Sequence, residues 1–475
     1  MNHSRSRSEP LVVGLLAACL YAATGARDVL WGDPTKLVLA THDFVFSLNQ
    51  QAHVGSTLWA RLFAWLPLEP YAWRTQIASA AASGVAFGFG HALLLGTGVS
   101  PRSARIGSAA AIVCHTIWFV SAMTESYAPA LAVLALALWL VRARRLPFCA
   151  GFCLGAGALV HVLCLFSLPA LLHGVWRSRL GRAGALRAAA GAALGFGLPV
   201  LAVAGIAAPR IGGASLSWVE LTQRYADFQL PARNAPLLLG YLVYNFVGPA
   251  LVLLVLGFLR MSPQQRTTGL LLVGAHYLVA LFWMTQRSFL IPVPVYFACA
   301  LPIALGAESL CAGRARAASL LLLATLATPI LVYLATPAIV ARLSLQSGIR
   351  DVPYRQELAY FCRPWKCGER SARTYLEALR PVLPERALVV GDFTTLSPLW
   401  YAQAVEGWRA DLALYSIDQQ SSERIEARLQ AACASGVRVF VLDDETFLRL
   451  PRSSQPRERV PVAAVEQLSE LLEIR

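Results

Sequence analysis

Long apolar runs separated by short, arginine-bearing gaps recur from near the start of the chain to about residue 341, and they constrain the fold more than any other feature. Crossing about 30 Å of hydrocarbon takes roughly 20 residues of helix. Runs of that length, or slightly shorter ones that cross in pairs, occupy 11–27, 74–98, 106–123, 127–142, 147–163, 164–177, 183–207, 235–259, 267–285, 289–310 and 317–341, about eleven spans in all. Backbone in lipid must satisfy its own hydrogen bonds, so these runs are expected to be helices. A water-soluble fold is excluded by the composition, which is 56% hydrophobic and 14% charged with a mean hydropathy of +0.54.

The net charge of +14 belongs to the same pattern. Its arginines fall in alternate gaps: Arg102 and Arg105, then Arg142, Arg144 and Arg145, then Arg177, Arg179 and Arg182, then Arg260 and Arg266, then Arg314 and Arg316. With Arg5 and Arg7 also inside, this is the bias of cytoplasmic loops, and it argues against a nucleic-acid partner. The N-terminus is therefore expected in the cytoplasm of an inner-membrane, multi-pass protein, its first run a retained anchor.

Carboxylates collect on the opposite side. Asp28, Asp33, Asp43 and Glu69 lie in the first outer loop, 28–74, Glu125 between the third and fourth spans, and Glu220 and Asp227 in 208–234. An odd number of spans puts everything after residue 341 outside as well. The composition changes there: nine acidic residues precede residue 351, and the remaining 18 of the 27 lie from Asp351 onward. We divide the chain into a membrane domain, 1–350, and a soluble extracytoplasmic domain, 351–475. Short apolar runs at 387–390, 412–415 and 437–442 alternate with helix-like stretches at 371–383, 396–405 and 422–434, which predicts a small, mainly parallel α/β layer. Cys362 and Cys367 are close in sequence in an oxidising compartment, so a local disulfide is expected. Trp31, Trp59, Trp65 and Trp73 are expected in an interfacial belt.

Three segments resemble one family. His115-Thr116-Ile117-Trp118 with Glu125-Ser126-Tyr127 is similar to the SHTFW…AExY signature of multi-pass proteins related to the transmembrane protein O-mannosyltransferase, in the GT-C superfamily. Arg61-Leu62-Phe63, Leu66-Pro67 and Ala72-Trp73-Arg74 resemble that family's ARLF…LP…AWR, and Gly391 to Asp411 resembles its GDxDTFPLWYxQxVEGxRPDV segment. The first-loop DSGE and HPPGYPLY patterns correspond here to His42-Asp43-Phe44-Val45 and His53-Val54-Gly55-Ser56, which keep the aspartate and the histidine but not the glutamate or the prolines.

The resemblance implies a GT-C-like transferase that takes a sugar, mannose in the named relatives, from a polyprenyl-phosphate donor and places it on a protein Ser/Thr or an envelope glycan or lipid at the outer face. A carboxylate near the acceptor hydroxyl can take its proton as the bond from C1 to phosphate breaks. Asp43, flanked by His42, is the favoured base, with Glu125 as a further catalytic residue; Asp33 and Asp28 are the alternatives, and Gly32-Asp33-Pro34 also reads as a turn. Arg287 is best placed to grip the donor phosphate, followed by Arg61, Arg74 and Arg224. His53, His161 and Asp33 complete the expected substrate-binding set. No metal site is assigned: a divalent ion on Asp43 and His42 has too few ligands to define one. Membrane lipids and the lipid-linked sugar are the expected partners. A transporter of lipid-linked precursors and an inactive glycan-binding relative are the other readings of the sequence.

Overall fold

The computed structural model describes residues 5–44, 53–207, 234–282, 288–343, 351–418, 420–442, 450, 457–459 and 472–474. Helix α1 (Arg5–Thr24) leads into two loop helices, α2 (Asp33–Asp43) and α3 (Val54–Arg61). Next come α4 (Tyr71–Leu95), α5 (Pro101–Ile112), α6 (His115–Ser121), α7 (Tyr127–Arg144), α8 (Pro147–Gly157), α9 (Leu163–Phe166), α10 (Leu168–Trp176) and α11 (Gly181–Ala207). The membrane part ends with α12 (Asn234–Asn245), α13 (Pro249–Arg260), α14 (Pro263–Phe282), α15 (Val293–Ala298), α16 (Ala300–Cys311) and α17 (Ala315–Arg342).

Each expected span overlaps helix among the described residues, but not every one is a straight rod. Among the described residues five stretches, Tyr71–Leu95, Tyr127–Arg144, Gly181–Val203, Val293–Cys311 and Ala315–Arg342, are long and apolar enough to cross a membrane unbroken. The pair α5 and α6 bends by 65°, and the pair α12 and α13 by 107°. The run 235–259 is thus not one straight helix, because Gly248 at φ 68° turns the chain ahead of Pro249. The α5–α6 bend is held by Tyr21, whose hydroxyl donates to Ile112 O at 2.8 Å, and by Asn245, whose Oδ1 accepts from Thr116 N at 2.8 Å. Small residues bring α1 against α4: a Cβ on Gly84 would sit 2.8 Å from Gly14 O.

Four helices and three strands open the C-terminal part: α18 (Glu357–Cys362), α19 (Ser371–Leu379), β1 (Leu388–Gly391), α20 (Phe393–Glu406), β2 (Ala413–Ser416), α21 (Ser422–Ala434) and β3 (Val439–Val441). As expected, β1 runs parallel to both β2 and β3. Two further strands, β4 (Arg457–Arg459) and β5 (Leu472–Ile474), extend the sheet antiparallel, in the order β2-β1-β3-β5-β4. Asp392 caps α20, its Oδ1 accepting from Thr395 N at 2.9 Å.

The first loop and this domain share one core. Val29, Trp31, Val38, Tyr71 and Ala72 pack with Tyr375, Leu376, Leu396, Leu399 and Tyr401. Loop and domain therefore lie on the same side of the helices. Trp31 leaves the expected interfacial belt: it is fully buried, and its Nε1 donates to Ser371 Oγ at 2.8 Å. The expected Cys362–Cys367 disulfide is absent, and both thiols are free. The intervening Lys366 is drawn inward, its Nζ donating to Tyr360 O at 2.7 Å and Arg363 O at 2.6 Å, which turns the segment away from pairing.

Candidate active site

Helix α2 fixes where the loop's carboxylates stand. Its 11 residues rise about 1.5 Å each, so Asp33 at the start and Asp43 at the end are roughly 15 Å apart. At the C-terminal end the exposed Asp43 pairs with the half-buried His42, Oδ1 to Nδ1 2.8 Å. The His42 ring meets Tyr71 edge-on at 5.2 Å. Arg61 closes that end of the helix, donating to Thr41 O at 2.9 Å and His42 O at 3.1 Å. Arg74 donates to Ala64 O at 2.9 Å, to Leu68 O and to Glu69. Both guanidinia hold the loop together, as does Asp28, which pairs with Arg373.

At the N-terminal end Asp33 and Lys36 both lie within electrostatic reach of His53. Burial lowers the Lys36 amine, with Asp33 opposing the shift. Lys36 carries a signal that sequence reading missed: of the 41 basic residues only Lys36 and Lys366 are lysine. Lysine is a compact, titratable point charge where arginine is a fixed fork.

His53 comes from the N-terminus of α3, which docks on the break between α8 and α9. That break follows the Gly-rich end of α8 and leaves the carbonyls of Leu159 and Val160 outside a regular helix, and the loop supplies their donors. Gly55 N donates to Leu159 O at 2.8 Å, while Ser56 Oγ and His53 Nδ1 reach Val160 O at 3.2 and 3.1 Å. Gly55 permits the approach, since a Cβ there would sit 2.6 Å from Val160 Cγ2. His53 has a left-handed backbone, φ 43°, and its ring stacks on His161 with centroids 4.9 Å apart. Tyr127 packs on the other partner, 4.5 Å from the His161 ring. Burial, reinforced by the Lys36 charge, lowers His53 to about 4, so its ring is neutral at pH 7.

Glu125 is buried between α6 and α7 and is fixed through its backbone, whose N–H donates to Ser79 Oγ at 3.1 Å. Together with Leu37 and Thr41 of α2, Ser56 and Thr57 of α3 and Ser79 of α4 it lines a crevice of about 10 Å³. That volume suits about one water. The crevice as it stands has no room for a sugar. Arg287 and Arg224 lie outside the described residues. Among the described residues no three His, Cys, Asp or Glu side chains converge as metal ligands.

A multi-pass helical membrane domain whose first loop is built into the core of a C-terminal α/β layer is an architecture this chain shares with solved structures of ArnT. The structure of ArnT from Cupriavidus metallidurans in the apo state superposes with a TM-score of 0.53 at 14% identity, covering 98% of this chain and 97% of that one. ArnT from the same organism bound to undecaprenyl phosphate matches with a TM-score of 0.53 at 12% identity, over 100% of this chain and 99% of that one. No protein family's sequence profile matches the chain, and no curated protein matches it.

Proposed function

We propose that this protein is an inner-membrane glycosyltransferase that moves one sugar from a polyprenyl-phosphate donor to an acceptor hydroxyl at the outer membrane face. The observation that carries this reading is the end-to-end likeness to a structure holding undecaprenyl phosphate, over a loop that gathers carboxylate, lysine and histidine beside the helices. A lipid-linked donor keeps its tail in the bilayer and its phosphate at the interface, so the reacting groups belong on a loop anchored just outside the spans. Mannose as the sugar, and a protein Ser/Thr or envelope glycan as acceptor, rest on the sequence resemblance alone.

Of the two ends of α2, the geometry favours the Asp33 end. A carboxylate there has Lys36 and His53 around it, and the helix N-terminus stabilises its charge, whereas Asp43 stands at the negative end, exposed, with His42 as partner. Asp33 would take the proton of the acceptor hydroxyl as its oxygen bonds to C1 and the C1–phosphate bond breaks, releasing polyprenyl phosphate. The Lys36 ammonium, with Arg287 in the role the sequence suggests, would meet the phosphate charge. Glu125, on the crevice wall, would orient the acceptor once the helices part. Purified protein in nanodiscs, given radiolabelled polyprenyl-phosphate mannose and membrane extract, should transfer label. Absence of transfer from any of several polyprenyl-phosphate sugars would sink the reading.

A further inference from the structure

The two stacked histidines are not equivalent, and the backbone around them fixes the difference. Val160 O can only accept, so His53 must carry its proton on Nδ1, and a neutral ring then presents a lone pair at Nε2. His161 is the reverse. Its Nδ1 accepts from Leu163 N at 3.2 Å, so that nitrogen is unprotonated and the proton sits on Nε2. Neither Nε2 has a hydrogen-bond partner among the described residues. The neutral pair thus carries one lone pair and one N–H, on rings whose centroids are 4.9 Å apart and whose planes are 20° from parallel.

We propose that His53 and His161 form a hydroxyl-reading pair, with His53 Nε2 accepting from a substrate alcohol and His161 Nε2–H donating to it. This deepens the transferase reading and rests on it for the identity of the substrate. An alcohol both donates and accepts, which matches the pair, while a phosphate oxygen at neutral pH offers acceptors only and would leave the His53 lone pair facing another lone pair. A second observation points the same way: the left-handed backbone at His53 costs conformational energy, and the residue that bears this cost is the one whose ring stacks on His161. Tyr127 also packs on His161, ring centroids 4.5 Å apart.

The hydroxyl belongs either to the sugar being transferred or to the acceptor, and the measurements separate these. First, ¹⁵N spectra of histidine-labelled protein in nanodiscs at pH 7, assigned with His53→Gln and His161→Gln, should show one Nδ1–H and one Nε2–H neutral ring. Two rings of the same tautomer, or an imidazolium at either position, overturn the proposal. Second, His53→Phe and His161→Phe keep a flat ring but remove the polar edge; their affinity is measured for polyprenyl-phosphate mannose and for sugar-free polyprenyl phosphate. A loss of about tenfold for the first with the second unchanged assigns the pair to the donor sugar. Unchanged binding of both lipids with an acceptor KM raised about tenfold assigns it to the acceptor. Equal loss for both lipids, or no change in any measurement, overturns the pair. The spectra and the lipid-binding comparison need no turnover, so failure of the transferase reading and failure of the pair are read separately.

Discussion

Arg373 of the C-terminal domain holds Asp28 of the first loop, Nη2 to Oδ1 at 2.8 Å, and grips Glu406 with the same guanidinium. The fork is mostly buried and stays fully charged, held so first by Glu406 and then by Asp28. Arg373→Ala leaves two half-buried carboxylates facing each other without a cation, which should cost about 2–3 kcal/mol. A thermal melt in detergent should fall by several degrees, with Arg373→Lys intermediate. An unchanged melt would mean that the loop is held by its apolar core alone.

Asp33→Asn should lower transfer by roughly a thousandfold if this carboxylate takes the acceptor proton. Asp43→Asn, at the exposed end of α2, should lower it no more than severalfold. The comparison is decisive because the two variants make the same chemical change on the same helix. The opposite ranking would return the base to Asp43 and His42.

Gly55→Ala should disturb the seat of α3. The added Cβ meets Val160 Cγ2 at 2.6 Å and Val160 N at 3.0 Å, and relieving such overpacking costs about 1–3 kcal/mol. Stability and sugar transfer should both fall, and Val160→Ala in the same chain should recover part of the stability. If the single variant melts and turns over like the wild type, the docking of the loop on the α8–α9 break is looser than described.

Burial pushes the amine of Lys366 down from 10.5 to about 7. Between those values the unfolded chain holds a proton that the folded protein lacks, so stability should rise with pH across that window. Below about pH 7 the cost of burying the ammonium is present in full. The melting temperature should therefore climb from pH 7 to pH 9, and Lys366→Met should flatten the climb. A variant that keeps the wild-type slope would assign the dependence to another group.

The helical spans were legible because lipid imposes one simple rule on every residue of a run, and β1 to β3 because their apolar clusters alternate with helix. The bend at Gly248, in contrast, depends on backbone conformation inside a run of unbroken hydropathy. Strands β4 and β5 are three residues each, and Arg457-Glu458-Arg459 has no apolar pattern to betray it. In the first loop the residue types were visible but their grouping was not. Asp43 and His42 are adjacent in sequence and drew attention together, while Lys36, His53 and His161 meet only because α3 docks on a helix break more than a hundred positions further along, His53 Nδ1 reaching Val160 O across 107 residues. The scarcity of lysine was the one clue available beforehand.

Trp31 and its hydrogen-bond partner Ser371 are separated by 340 residues of chain, an interval that holds every helix of the membrane part after α1. A ribosome therefore delivers the loop long before it delivers the surface that buries Trp31, and throughout that interval the indole has no home. Completion of the candidate site is a late event in biosynthesis, timed by the arrival of the C-terminal domain. A chain cut short after the last helix would insert its spans yet carry an unfinished loop, which makes the far end of the polypeptide a checkpoint on whether the near end can work.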